Sequence, residues 1–187
     1  MHLINAETYS RLQSMTQSRK LDRISTTSDR RGLLKRVDSV LERVYQSPHH
    51  GNYRDPTTEL FYLLLTVRSR IIDVRPHLQR LKRMCGSWDT LAVMAPEEIE
   101  PVIAPLGMGR KRAKLMTLVA RRIKRDNGRV SLNFLKKMPI GEAIRYMRSL
   151  PYVGEKVSRC VALYSLGADI SPMDTHATRV LSRVGVL

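Results

Sequence analysis

Apolar residues recur along the chain at intervals of three and four, and no stretch alternates with a period of two, so the pattern predicts helices throughout. Leu33 to Gln46 reads as an amphipathic helix with Leu33, Leu34, Val37, Val40, Leu41 and Val44 on its core face. Asp55-Pro56 reads as an N-cap followed by the first helical residue. The helix body that follows, Leu60 to Val67, is apolar on nearly every side, as expected of a central buried helix. Asp73 to Met84 carries Leu78, Leu81 and Met84 on one face, tolerates Pro76 only in its first turn, and leads to Trp88, which closes the core. Pro96-Glu97-Glu98 opens a helix that buries Ile99, Val102 and Ile103. A helix with Met116, Val119, Ala120 and Ile123 on one side ends at Asn127-Gly128. Leu132 to Met138 is a short helix, stopped by Pro139. These elements predict an all-α fold with short turns.

The most informative stretch is Leu150 to Val180. Before it, Ala143, Ile144, Met147 and Leu150 share a helical face; after it, Val157, Val161 and Tyr164 recur at i, i+4 and i+7. The hairpin between them is Pro151-Tyr152-Val153-Gly154, where proline fixes one torsion and Gly154 permits a left-handed or close-approach backbone. Two helices joined this way aim backbone N–H groups at one place, where a phosphate can sit. An earlier stretch echoes it: Gly107-Met108-Gly109-Arg110-Lys111-Arg112, with Gly109 in the place of Gly154. Arg110, Lys111 and Arg112 there are either a second phosphate contact or solvated charge at a plain helix–helix turn. Lys156 begins the helix after the hairpin, and Asp174 precedes Thr-His-Ala-Thr-Arg as an N-cap, 18 residues later. Read singly, each is an ordinary surface or capping residue.

Charge changes this picture. The 187 residues hold 33 basic and 17 acidic side chains, a net +16 with pI near 10.5, which suits a polyanionic partner. No apolar run reaches the roughly 18 residues that a membrane span needs, the N-terminus lacks an apolar secretory core, and the expected location is intracellular, in cytoplasm, nucleoid or nucleus. Cys85 and Cys160 make no disulfide framework. His49 and His50 lie in a turn-rich loop with no further ligand at a useful spacing, so no metal site is expected. Residues 1–31 are polar, with a short helix over Ala6 to Met15 and a link over Ser25 to Arg31.

LPYVGEK and MDTHATRV resemble the signature of the helix-hairpin-helix DNA glycosylases, the endonuclease III-like superfamily. The resemblance runs from about Leu33 to the C-terminus and is most specific over Leu150 to Val180. It implies a helical barrel-like domain holding the hairpin (residues 142–166 within 32–168). It also implies an incomplete second helical domain, begun by residues 169–187 and otherwise contributed by the polar N-terminal segment. It makes Lys156 and Asp174 the catalytic pair, with Pro151, Tyr152, Val153 and Gly154 on a DNA phosphate, and His176 facing DNA. Thr66-Val67-Arg68 stands where the family carries Ser-Ala-Gln, so Arg68 would fill the gap left by a flipped base or touch the orphaned base, with Arg70 a weaker candidate; the plain alternative is a solvated helix end. The implied activity is excision of a damaged or mismatched base from duplex DNA, with cleavage at the abasic site. A monofunctional glycosylase and a non-catalytic DNA-binding module remain the alternatives.

Three departures stand out. Tyr152 replaces the hairpin's first glycine, a costly choice if that position needs positive φ. Glu155 puts an acid beside the expected phosphate. No cysteine follows Cys160, so the four-cysteine iron–sulfur cluster of many relatives has no ligands here and no cofactor is expected. The chain runs about one helix past Asp174, and Met173, Val180, Leu181 and Val184 form an apolar face there. The expectation is self-association through that face, or a C-terminal region missing from this sequence.

Overall fold

A computed structural model describes residues 27–46 and 51–187. The helix expected over Ala6 to Met15 and the pair His49-His50 lie outside them. The described residues form helices α1 (Thr27–Tyr45), α2 (Pro56–Thr66), α3 (Ile71–Cys85), α4 (Trp88–Leu91), α5 (Pro96–Ile103), α6 (Gly109–Asn127), α7 (Ile140–Ser149), α8 (Glu155–Leu166) and α9 (Thr175–Arg183). Two 3₁₀ turns, Ala104–Leu106 and Asn133–Lys137, precede α6 and α7, and no strand occurs among the described residues. The chain divides into two units, one of Met1–Gly51 with Met173–Leu187 and one of Asn52–Pro172.

In the larger unit α2 is central, packing against α3, α6 and α8, while α5 lies along α6 and α7 against α8. Asp55 caps α2 by accepting the Thr58 N–H at 2.8 Å, and Pro56 is its first residue. Leu60, Phe61, Tyr62, Leu64 and Leu65 of α2 are buried, as its apolar sequence predicts. Trp88 stacks on Phe61 at 4.7 Å and donates its indole N–H to Thr58 Oγ1. The buried face of α3 is Val74, Leu78, Leu81 and Cys85; Met84, expected there, is exposed. Steps of four, three and four keep a stripe on one side of a 3.6-residue helix, whereas a run of threes rotates Met84 outward. α3 also starts two residues before the expected Asp73, so Pro76 stands beyond its first turn.

Helix α1, expected to open the larger domain, packs instead with the C-terminal segment. Leu33 and Val37 bury against Val184 and Val186, with Leu41 and Leu181 alongside, while Leu34 and Val44 face outward. The apolar face of the last helix is therefore covered in part by α1, although Met173 remains exposed.

One acid is buried in the large core. Glu59 is fully inaccessible; one carboxylate oxygen accepts the Tyr53 N–H at 2.7 Å and the other has no hydrogen-bond partner among the described residues. Desolvation pushes its pKa up to about 7, against the Tyr53 hydrogen bond and the Arg75 charge, which both favour ionisation. The unfolded chain ionises this group near pH 4.5, so between there and about pH 7 the folded state holds the extra proton. Stability from this group is therefore full at acid pH and falls as pH rises through that window. Glu59→Gln removes the charge and keeps an acceptor for Tyr53. It should leave the urea midpoint near pH 4.5 almost unchanged and raise it at pH 8, by up to about 3 kcal/mol of stability. Equal midpoints at pH 8 would show that ionised Glu59 is accommodated without cost.

Candidate active site

The hairpin joins α7 to α8 as the sequence predicts. Met147 and Leu150 are buried beneath it, and Val153 plugs its inner side. Tyr152 takes the left-handed conformation, φ 60°, and is 71% exposed. The position does need positive φ, and a tyrosine there costs about 1–2 kcal/mol that glycine would avoid. Gly154 is not left-handed; it is the extended N-cap of α8, with φ −86°. A Cβ there would meet no atom within 4 Å, so neither conformation nor packing in this chain demands glycine. Gly154 also supplies no side-chain cap, which leaves the N-terminal end of α8 open to an anion.

Glu155 does not confront that anion with a bare charge. It receives a hydrogen bond from Arg159 Nε, one turn on, and pairs with Arg148 of α7 at 3.0 Å. The Arg159 hydrogen bond, reinforced by the charges of Arg148 and Arg159, holds the Glu155 carboxyl below its ordinary range. The acid thus ties the two arms of the hairpin together. Lys156 follows it, exposed in the first turn of α8. One and two turns further lie Cys160, buried, and Tyr164, half-buried. Burial raises the Tyr164 pKa, and Lys156 is near enough to oppose that rise.

Asp174 is the N-cap of α9, with Oδ1 accepting the Ala177 N–H at 2.8 Å. It belongs to the smaller unit and Lys156 to the larger. His176 is exposed in the first turn of α9.

The earlier turn differs from the hairpin in register. Its helix, α6, is capped by Met108, a left-handed residue with φ 54°, and Gly109 is the first residue inside the helix. A Cβ on Gly109 would lie 2.8 Å from Ala104 Cα, so this glycine serves helix packing and does not match Gly154. Gly107, with φ 79°, turns the chain before it. Arg110 and Lys111 are exposed and can reach a phosphate. Arg112 cannot: it is 4% exposed, and its guanidinium donates to the Leu106 and Val67 carbonyls and to Ser69 Oγ. A buried arginine with three internal acceptors is a structural link, and the phosphate contact expected of Arg112 is out of its reach. Position 112 lies one turn before Met116 on the face that buries Met116, Val119, Ala120 and Ile123, and that spacing was the overlooked signal.

Arg68 follows the C-cap of α2, exposed, with φ 58°. Arg70 is exposed too, but is held by Asp73 at 2.7 and 3.1 Å. Cys85 and Cys160 are buried and form no disulfide, and among the described residues no group of three His, Cys, Asp or Glu side chains is set to hold a metal ion.

No family model matches the chain. A solved structure of a non-covalent endonuclease III–DNA complex superposes with a TM-score of 0.66 at 20% identity, covering 83% of this chain and 69% of that one. This is the fold of the endonuclease III-like, helix-hairpin-helix DNA glycosylase superfamily. In sequence, the chain is 30% identical over 98 residues to DEMETER-like protein 2 of Arabidopsis thaliana, across 52% of its own length. It is 29% identical over 98 residues to the DNA glycosylase/AP lyase ROS1 of the same plant. The chain spans only 7% of the length of either of these two relatives. Among the described residues no helix is long and apolar enough to cross a membrane.

Proposed function

We propose that this chain is the catalytic part of a DNA glycosylase with abasic-site lyase activity, acting on duplex DNA in the nucleoid or nucleus. The observation that carries the reading is the hairpin: an α8 N-terminus left open by Gly154, with an exposed lysine two residues on. The glycosylase fold and the relative named as a glycosylase/AP lyase support it.

In this reading the α8 end and the first turn of α6, with Arg110 and Lys111, grip phosphates. The target nucleotide leaves the stack, and Arg68 occupies the gap. The Asp174 carboxylate stabilises the positive charge that develops on the sugar as the bond from C1′ to the base breaks. The unprotonated Lys156 amine adds to C1′, and the base departs with the bonding electrons. Ring opening gives a Schiff base; loss of a C2′ proton then expels the 3′ phosphate and cuts the strand. Amine and carboxylate carry all of this, so the chain needs no cofactor for it.

Duplexes carrying single oxidised, mismatched or modified bases, plus one abasic site, test the proposal. Release of at least one base and cutting at the abasic site are expected, and inertness on the whole panel would refute it. Base release without cutting would mark a monofunctional enzyme. Affinity for undamaged duplex should fall roughly tenfold or more between about 50 and about 200 mM salt, since phosphate contacts release counterions. Affinity that ignores salt would remove the phosphate grip from the account.

A further inference from the structure

Arg112 sits between two surface turns. One is Val67-Arg68-Ser69, where α2 ends; the other is Leu106-Gly107-Met108, where α6 begins. Arg112 Nη1 donates to the Leu106 carbonyl at 3.0 Å, and Nη2 donates to the Val67 carbonyl and to Ser69 Oγ, the latter at 2.8 Å. Ser69 Oγ in turn donates to the Leu106 carbonyl at 3.0 Å, closing the link. Each turn contains a left-handed residue that is not glycine, Arg68 at φ 58° and Met108 at φ 54°, and both side chains are exposed. Such conformations persist where the surroundings over-determine them.

The arrangement is costly for a residue that only fills space. Arg112 is 4% exposed, its acceptors are neutral, and its Nε has no hydrogen-bond partner among the described residues. It also stands in the first turn of α6, where the helix dipole opposes a cation. Desolvation accordingly lowers its pKa. A methionine would fill the same volume without burying a charge. What the guanidinium supplies is geometry: planar donors that hold carbonyls from both turns at once.

We propose that Arg112 is a positioning residue, which locks the two turns together and thereby aims Arg68 at the gap in the duplex. This rests on the DNA-repair reading above. Arg112 itself would touch no DNA.

The test uses the full chain as wild type, Arg112→Met, Arg112→Lys, Ser69→Ala, Arg68→Ala and the double variant Arg68→Ala/Arg112→Met. Binding is measured to a duplex with one tetrahydrofuran abasic analogue and to the same duplex undamaged. Arg112→Met should cut the preference for the abasic duplex about tenfold and leave undamaged binding within about twofold. Arg112→Lys should recover part of the loss. Arg68→Ala should match Arg112→Met, and the double variant should lose no more than either, because both act through one side chain. Amide hydrogen exchange should quicken together at residues 67–69 and 106–108 in Arg112→Met. If that variant does not fold, Ser69→Ala, which breaks one link of the same network, carries both readouts with a smaller loss. A folded variant with unchanged preference, or additive losses in the double variant, overturns the positioning role. Unchanged exchange at both turns overturns the clamp itself, whatever the DNA result. A wild-type chain that does not prefer the abasic duplex overturns the functional reading, and the exchange experiment still decides the clamp.

Discussion

Lys156→Ala is expected to abolish covalent trapping on abasic-site DNA by borohydride, and to slow strand cutting at least about a thousandfold, because in the proposed mechanism the Schiff base forms on the Lys156 amine. Undamaged duplex binding should stay within about twofold, since the substitution removes one positive charge from a chain with net +16. The fold should survive, since the side chain is exposed in the first turn of α8. Trapping is read as a protein–DNA adduct on a denaturing gel after borohydride treatment, and thermal unfolding checks the fold. Trapping at the wild-type level would move the nucleophile to another amine and leave Lys156 as a phosphate contact. A variant that neither traps nor binds undamaged duplex would show that Lys156 holds the hairpin to DNA, and the mechanism would lose its direct support.

The helices were legible because each buried face repeats at 3.6 residues, and the reading went astray where a stripe was extended by equal steps. Met84 and Cys85 illustrate it: both follow the Leu78–Leu81 pair, and only the step of four returns to the core. The hairpin was legible because Pro151 and Gly154 punctuate it. Its mechanics were not, since a torsion such as φ 60° at Tyr152, between buried Leu150 and Val153, carries no mark in the residue type. Charged residues were the hardest to place. Composition puts Arg112 with Arg110 and Lys111 as one basic run, yet two of these face solvent and the third is 4% exposed. A guanidinium reads as surface until its acceptors are known, and these are the Val67 carbonyl and the Ser69 hydroxyl, 45 and 43 positions away, as well as the Leu106 carbonyl. Glu59 is similar. An acid in the first turn of a helix reads as a partner for the dipole, and only the fold shows it sealed under Tyr53.

Asp174→Asn separates capping from catalysis. Asp174 Oδ1 accepts the Ala177 N–H at 2.8 Å, and an asparagine Oδ1 in the same rotamer accepts it equally. With that bond kept, the lost attraction between a carboxylate and the N-terminal dipole is about 0.3–1 kcal/mol, a change of a few degrees in melting temperature. Asp174→Ala removes the cap as well and should cost about 1 kcal/mol more. Base release should respond quite differently. In the proposed mechanism the positive charge that develops on the sugar faces a full carboxylate in the wild type and a neutral amide in the variant. Losing one such electrostatic contact slows the step by about a hundred- to a thousandfold. Single-turnover release of the base, measured with enzyme in excess over a lesion duplex, isolates that step from binding and product release. An unchanged rate in a folded Asp174→Asn protein would make Asp174 a cap and nothing more. Unfolding of the asparagine variant would show that the ionised carboxylate holds the start of α9 through more than the Ala177 bond. In either case the charge facing the sugar would have to be sought elsewhere in the chain.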